Sequence, residues 1–273
     1  MSDLDPADPP VPLSDLDPAE KAKRAGSFGG VASLYERHRP GPPAAAVDWF
    51  LPQHVGRVVD LGAGTGALTR MLIERADEVV AVEPDERMRT VLTEQVPGAR
   101  VVEGRGEAIP LPDGAADAVL ASSSWHWMDP VPTLAEVARV LVPGGVLGAV
   151  WSGPDPEGAF VVQARALLAG NDGAVADVVL TDAARPSSRL VLPAGVPFAP
   201  VEHEVITWDV ALDADALVGL LGTFSSIITM DDDARERVFS EARRLLRDLL
   251  GVEGDVTVDV AFRADCWRSH VEN

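Results

Sequence analysis

Residues 60–66 read Asp-Leu-Gly-Ala-Gly-Thr-Gly, a carboxylate followed by three glycines at alternate positions. The apolar pair Val58-Val59 before them reads as the end of a buried strand, and Ala67 to Glu74 carry the apolar spacing of a helix. Glycines lack a Cβ, so the chain can turn sharply here and bring its backbone close to a ligand. The ligand then sits at the mouth of a strand-turn-helix unit. The same letters satisfy a dinucleotide fingerprint, with Gly62, Gly64 and Ala67 as G-x-G-x-x-A and Glu83 about 20 residues onward. Charge tilts the choice. A pyrophosphate is disfavoured beside Asp60, whereas a cationic ligand gains roughly 1 kcal/mol at about 4 Å in water and about 4 at an effective dielectric of about 20, before desolvation.

A second chemical cluster is Ser122-Ser123-Ser124-Trp125-His126-Trp127-Met128-Asp129. It follows an apolar run and therefore falls at a sheet edge, where open α/β proteins bind ligands. His126 is the imidazole on these loops, able to change charge near neutral pH. It reads either as a general base or hydrogen-bonding group for an acceptor, or as a ring that holds the loop. Trp125 and Trp127 could wall an apolar pocket, although one of them suits the core. Ser122 could touch a ligand or cap a helix. Further along, Trp208, Phe224, Ser225, Ser226 and Met230 could line an acceptor pocket, and helix packing explains them nearly as well. His38 and His203 stand without metal-ligand spacing, and the one cysteine, Cys266, allows neither an internal disulfide nor a cysteine-based cluster. No metal site is expected.

The elements that position these groups alternate. Helices are expected over Ala44–Leu51, Leu68–Ala76, Glu86–Gln95 and Pro132–Leu141. Strands are expected over Arg57–Leu61, Glu78–Glu83, Ala99–Glu103, Ala116–Ser122 and Gly145–Trp151. Strands this apolar on both faces fit a buried parallel sheet. After Trp151 the pattern becomes irregular, then reads as strand Val201–Trp208, helices Ala214–Phe224 and Asp232–Leu250, and a final antiparallel strand Thr257–Phe262. Residues 1–26 are acidic and proline-rich, with Ser-Asp-Leu-Asp-Pro-Ala beginning at both Ser2 and Ser14. Such a segment has too little apolar surface to fold and reads as a flexible extension. One domain is expected over 27–273, with cap elements about 27–45 and 152–232.

Four separated segments, Val58–Gly66, Val79–Met88, Gly104–Asp117 and Glu136–Leu147, together resemble the class I S-adenosylmethionine-dependent methyltransferases, most closely the bacterial small-molecule type whose fourth strand leads into a His-Trp pair. The resemblance implies a Rossmann-like, seven-stranded, mostly parallel sheet of order 3-2-1-4-5-7-6, strand 7 antiparallel, with helices on both faces and a small cap. It implies S-adenosylmethionine as cofactor. Gly62, Ala63 and Gly64 would lie against the donor's amino-acid end with Asp60 nearby. Glu83, followed by Pro84, would take both ribose hydroxyls, a task that suits an acceptor-only carboxylate. Met88 would pack on adenine, and Gly106 and Glu107 would meet its edge. Tyr35 and Arg39 stand where an aromatic ring and a guanidinium reach the donor's carboxylate, although Pro42 and Pro43 replace the tyrosine usual after Arg-Pro-Gly.

The 273-residue chain is 47% hydrophobic and carries a formal charge of -20, which repels polyanions over the whole surface and makes a nucleic-acid substrate awkward. No apolar run approaches the roughly 18 residues of a membrane span, and Met1–Pro10 lacks the basic-then-apolar pattern of a secretory leader. The expectation is a cytoplasmic monomer or homodimer that moves a methyl group to a small organic acceptor, oxygen acceptors slightly favoured. The alternative is an enzyme of the same fold that catalyses a non-methylating reaction, such as a cyclisation, around a structural nucleoside.

Overall fold

The computed structural model describes residues 37–38, 40–168 and 189–272. The acidic segment 1–26 lies outside these residues, as do Tyr35 and Arg39. The elements run α1 (Ala44–Phe50), β1 (Val55–Leu61), α2 (Thr69–Leu72), β2 (Ala76–Val82), α3 (Glu86–Gln95), β3 (Arg100–Val102) and β4 (Ala116–Ser122). They continue as α4 (Pro130–Val140), β5 (Leu141–Pro154), α5 (Ala159–Leu168), β6 (Glu202–Leu212), α6 (Ala214–Leu221), α7 (Ser225–Ile228), α8 (Asp232–Leu250) and β7 (Val258–His270).

Adjacent residues of the inner strands point into different cores. Val59, Leu61, Val80, Val82, Val119 and Ala121 join a cluster closed by Leu134, Val137 and Val140 of α4. Their neighbours Val58, Val79, Ala118 and Leu120 join another, closed by Ala46, Val47 and Phe50 of α1 together with Leu68 and Leu72. Burying each valine or leucine contributes roughly 1.5–3 kcal/mol against the entropy of ordering it. A slip of one residue would exchange the two faces, so this alternation fixes the register.

The sheet order is β3-β2-β1-β4-β5-β7-β6. β1 pairs parallel with β2 and β4, while β7 runs antiparallel to β5 and β6. This is the expected topology. At the β7–β6 side of the sheet, α6 and α8 pack Leu217, Leu220, Val238 and Leu245 with Val260 and Phe262 of β7.

Two differences from the sequence reading have clear causes. The helix expected over Leu68–Ala76 is short, because Ala76 already pairs with Val55 and opens β2. The last strand extends to His270 where an end at Phe262 was expected; its charges are neutralised locally, Arg263 on Asp265 and Arg268 on Glu202. α5 was not anticipated in the irregular region. Segment 152–232, expected as cap, also supplies β6, the edge strand of the sheet.

Candidate functional site

The carboxyl ends of β1, β2 and β4 and the adjoining part of β5 open on one cleft of about 500 Å³. The glycine turn forms its floor. Gly62 and Ala63 both donate to the carbonyl of Val82, at 2.8 and 3.1 Å, which folds the end of β1 over β2. Gly62 has φ +70°, and a Cβ there would stand 2.6 Å from the Cβ of Ser124. Gly64, at φ +58°, has open space on that side. Both positions therefore demand glycine, the first for packing as well as conformation.

Glu83 follows β2 and is 7% exposed. Its Oε2 accepts from the Gly64 N–H and its Oε1 from the Asp85 N–H, each at 2.9 Å. Burial raises its pKa, and these two backbone donors oppose the rise. Each carboxylate oxygen keeps capacity for a further donor. Asp85 then caps α3 by accepting from the Arg87 N–H.

Asp60 is 1% exposed and lines the cleft. Thr69 donates its hydroxyl to Oδ2 at 2.5 Å, whereas Oδ1 has no hydrogen-bond partner among the described residues. Burial pushes the carboxyl up to about 7, with the Thr69 bond opposing and the charge of Glu83 adding to the rise. The full negative charge expected at Asp60 thus needs correcting: near neutrality, with no cation beside it, the group is only partly ionised. Thr65 Oγ1, also on the cleft, is buried and unpartnered among the described residues.

On the opposite wall, Met88, Pro84, Gly106 and Glu107 line the same cleft. A Cβ on Gly106 would meet Met128 Sδ at 2.6 Å and Thr133 Oγ1 at 2.8 Å, so this backbone also sits too close to its neighbours for a side chain. Glu107 accepts from the Asp129 N–H at 2.8 Å, linking this wall to the cap of α4. Glu136 and Arg139 of α4 hold the segment behind it, through the N–H of Ile109 and the carbonyls of Ile109 and Leu111.

The loop after β4 supplies the remaining side. Ser122, Ser123, Ser124 and Trp127 all line the cleft. Ser124 donates to the carbonyl of Leu61 at 2.6 Å, which ties this loop to the end of β1. Ser123 adopts φ +51°, uncommon without glycine, and its N–H is held by the carbonyl of Val150 at 2.8 Å. Trp125 and Trp127 form a single 3-10 turn with His126 between them.

These atoms suit a nucleoside that carries a cationic amino acid. Buried oxygens without partners are costly, and an ammonium group or hydroxyls satisfy them. The comparisons agree. Residues 59–149 match the family described as methyltransferase domain. An uncharacterized methyltransferase from Mycobacterium tuberculosis is 41% identical over 220 residues, 81% of this chain and 85% of the relative. The chain belongs to the class I S-adenosylmethionine-dependent methyltransferases. A demethylmenaquinone methyltransferase from Thermus thermophilus is 34% identical over 205 residues, 68% of this chain and 89% of the relative. A solved structure from Anaeromyxobacter dehalogenans, provisionally assigned as a type II methyltransferase, shares the fold at TM-score 0.56 and 24% identity, over 85% of this chain and 97% of its own.

S-adenosylmethionine is accordingly the methyltransferase's cofactor, and it supplies an electrophilic methyl group on a sulfonium. Of the expected site residues, Asp60, Gly62, Ala63, Gly64, Glu83, Pro84, Met88, Gly106, Glu107, Ser122 and Trp127 come together on the cleft. Trp125 does not; it is buried in the core under α4. Trp208 and Phe224 also stand elsewhere. Trp208 packs on Phe262 with ring centroids 5.5 Å apart, and Phe224 lies against the α6–α8 cluster. The alternation of β6 and the apolar face of the helices account for both. His126 accepts at Nδ1 from the Trp151 indole and does not line the cleft. The sequence reading quoted Thr65, Ser123, Ser124 and Met128 within its motifs without giving them individual roles, and it did not single out Thr69. Thr69 carried a usable signal: as the first helical residue after a glycine loop, it can reach back to the carboxylate at the strand terminus.

Proposed function

We propose that this methyltransferase transfers its methyl group to a small organic acceptor that enters beside Trp127 and the Ser122–Ser124 loop. The observation that carries this reading is the continuity of the cleft. The wall formed by Asp60, Gly64 and Glu83 and the wall formed by Ser122, Ser123 and Trp127 enclose a single space. An acceptor on the second wall lies within reach of a donor on the first, and alignment of the two is the main work of such a displacement. Well-oriented reactions gain about 7–11 kcal/mol from alignment alone. The name of the Thermus relative, whose acceptor is demethylmenaquinone, supports a small molecule, and the charge of -20 disfavours a polyanion. No described helix is long and apolar enough to cross a membrane.

Tyr35 and Arg39 are proposed to close over the donor's carboxylate, and His126, between Trp125 and the cleft-lining Trp127, to hold the loop that faces the acceptor. The test is incubation with S-adenosylmethionine and a panel of phenols, enols, carboxylic acids and amines, read by mass spectrometry. A product heavier by one methylene, with stoichiometric S-adenosylhomocysteine, is expected. Donor binding without S-adenosylhomocysteine for any member of the panel would contradict the proposal.

A further inference from the structure

Gly219 is buried inside α6, where alanine would serve a helix better than glycine. What excludes a side chain there is a ring. A Cβ on Gly219 would stand 2.6 Å from Cδ2 of His38 and closer still to its Cγ and Nδ1. His38 therefore rests directly on the backbone of α6. We infer that His38 is a positioning residue for the methyl donor: its ring, seated on Gly219, fixes the stretch of chain that follows it as one wall of the cleft.

The link between α6 and the cleft is short and stiff. Residues 38–43 read His-Arg-Pro-Gly-Pro-Pro, and each proline holds its own φ near about -65° and restricts the residue before it. Pro40 and Gly41 line the cleft. Gly41 also lies against the end of the glycine turn, where a Cβ would come within 3.3 Å of the Ala67 carbonyl oxygen. Pro42 is buried and Pro43 is the N-cap residue of α1, so the far end of this stretch is anchored to the core. The near end is held by His38 on α6. A methyl group added at Gly219 would displace the ring, and so few freely rotating bonds follow that Pro40 and Gly41 would shift with it.

The contact is one of packing and not of charge. Burial and the neighbouring Arg37 lower the His38 pKa, and Asp213 and Asp215 at the start of α6 oppose them, which leaves the ring neutral near pH 7. The inference rests on the reading of the cleft as the donor site and goes beyond it. It gives α6, which contributes no lining residue among those described, a hold on donor affinity.

The test is a double-mutant cycle in the full-length protein, read by calorimetric titration of S-adenosylhomocysteine and by melting temperature. His38→Ala and Gly219→Ala should each weaken binding at least about threefold, and the double variant should bind no more weakly than the weaker single one. His38→Phe, which keeps ring atoms where Cγ, Nδ1 and Cδ2 meet Gly219, should bind as the wild type does. Stability gives a reading without ligand. In the His38→Ala background Gly219→Ala should raise the melting temperature, because alanine suits a helix interior, whereas in the wild-type background the ring should cancel or reverse that rise. An equal rise in both backgrounds would show that the contact does not form. Unchanged affinity in the single variants, losses that add in the double variant, or a His38→Phe as weak as His38→Ala would overturn the positioning role. The two His38 variants decide even if Gly219→Ala does not fold. A wild type that fails to bind S-adenosylhomocysteine would sink the donor reading of the cleft and the positioning role with it, while the melting temperatures would still report the contact between His38 and Gly219.

Discussion

A carboxyl group buried at the end of β1 should couple donor binding to pH. Asp60 is raised to about 7 by burial, and a cation beside it favours the ionised form. Binding should therefore release part of a proton near pH 7, and affinity should increase as pH rises toward and through about 7. Calorimetry in two buffers of different ionisation enthalpy measures this release; identical heats in both would contradict it. The same shift acts on stability. With the folded value near 7 and the unfolded value at 3.8, the group's stabilising contribution is complete below about 3.8 and is lost as pH rises through 7. Asp60→Asn should consequently raise the melting temperature of the free protein at about pH 8 while weakening donor binding, and a lowered melting temperature there would count against this account. The two glycines separate in the same way. Gly62→Ala must strain both φ and the contact with Ser124, a loss of roughly 2–4 kcal/mol in denaturant unfolding. Gly64→Ala should cost only about 1–2 kcal/mol in stability and fall mainly on donor affinity. Equal losses of stability would contradict the geometry.

At the scale of elements, α4 does two tasks, closing a core with one face and gripping the 105–113 segment with Glu136 and Arg139. Arg139→Ala leaves the carbonyls of Ile109 and Leu111 without this donor, and should cost roughly 1–3 kcal/mol and weaken donor binding through Gly106 and Glu107. A change in neither midpoint nor affinity would show that the segment holds itself. Such support was legible only in part. The spans of α3, β4 and α8 match what helix spacing and apolar runs suggest, because caps such as Asp85 and Asp231 mark helix starts and both faces of β4 are buried. The extent of β7 was not legible, since Arg263, Asp265 and Arg268 look like a surface loop until their partners are known. That Asp60, Gly62, Gly64 and Glu83 share one cleft could be read because glycine spacing and a carboxylate at a fixed interval are local signals. Ser122 and Trp127 reach that cleft as expected, but Trp125, Trp208 and Phe224 do not, because they have the composition of a pocket and the spacing of a core, and only the packing separates the two.

Across the whole molecule, a charge of -20 acts on every anion that approaches and on the compact state itself. Salt screens this repulsion, so the melting temperature should rise when sodium chloride increases from about 0.01 M to about 0.15 M, as the Debye length falls from about 30 to about 8 Å. Within that field the cleft is proposed to hold a cationic nucleoside through local contacts, above all the two oxygens of Glu83 with the glycine turn beneath them. The most direct measurement is calorimetric titration of S-adenosylhomocysteine into the wild type and into Glu83→Ala, each first shown to be folded by circular dichroism. The account predicts micromolar binding, about -8 kcal/mol, for the wild type and at least about tenfold weaker binding for the variant. Equal affinities, or nicotinamide dinucleotide bound in preference to the adenosyl ligand, would contradict it.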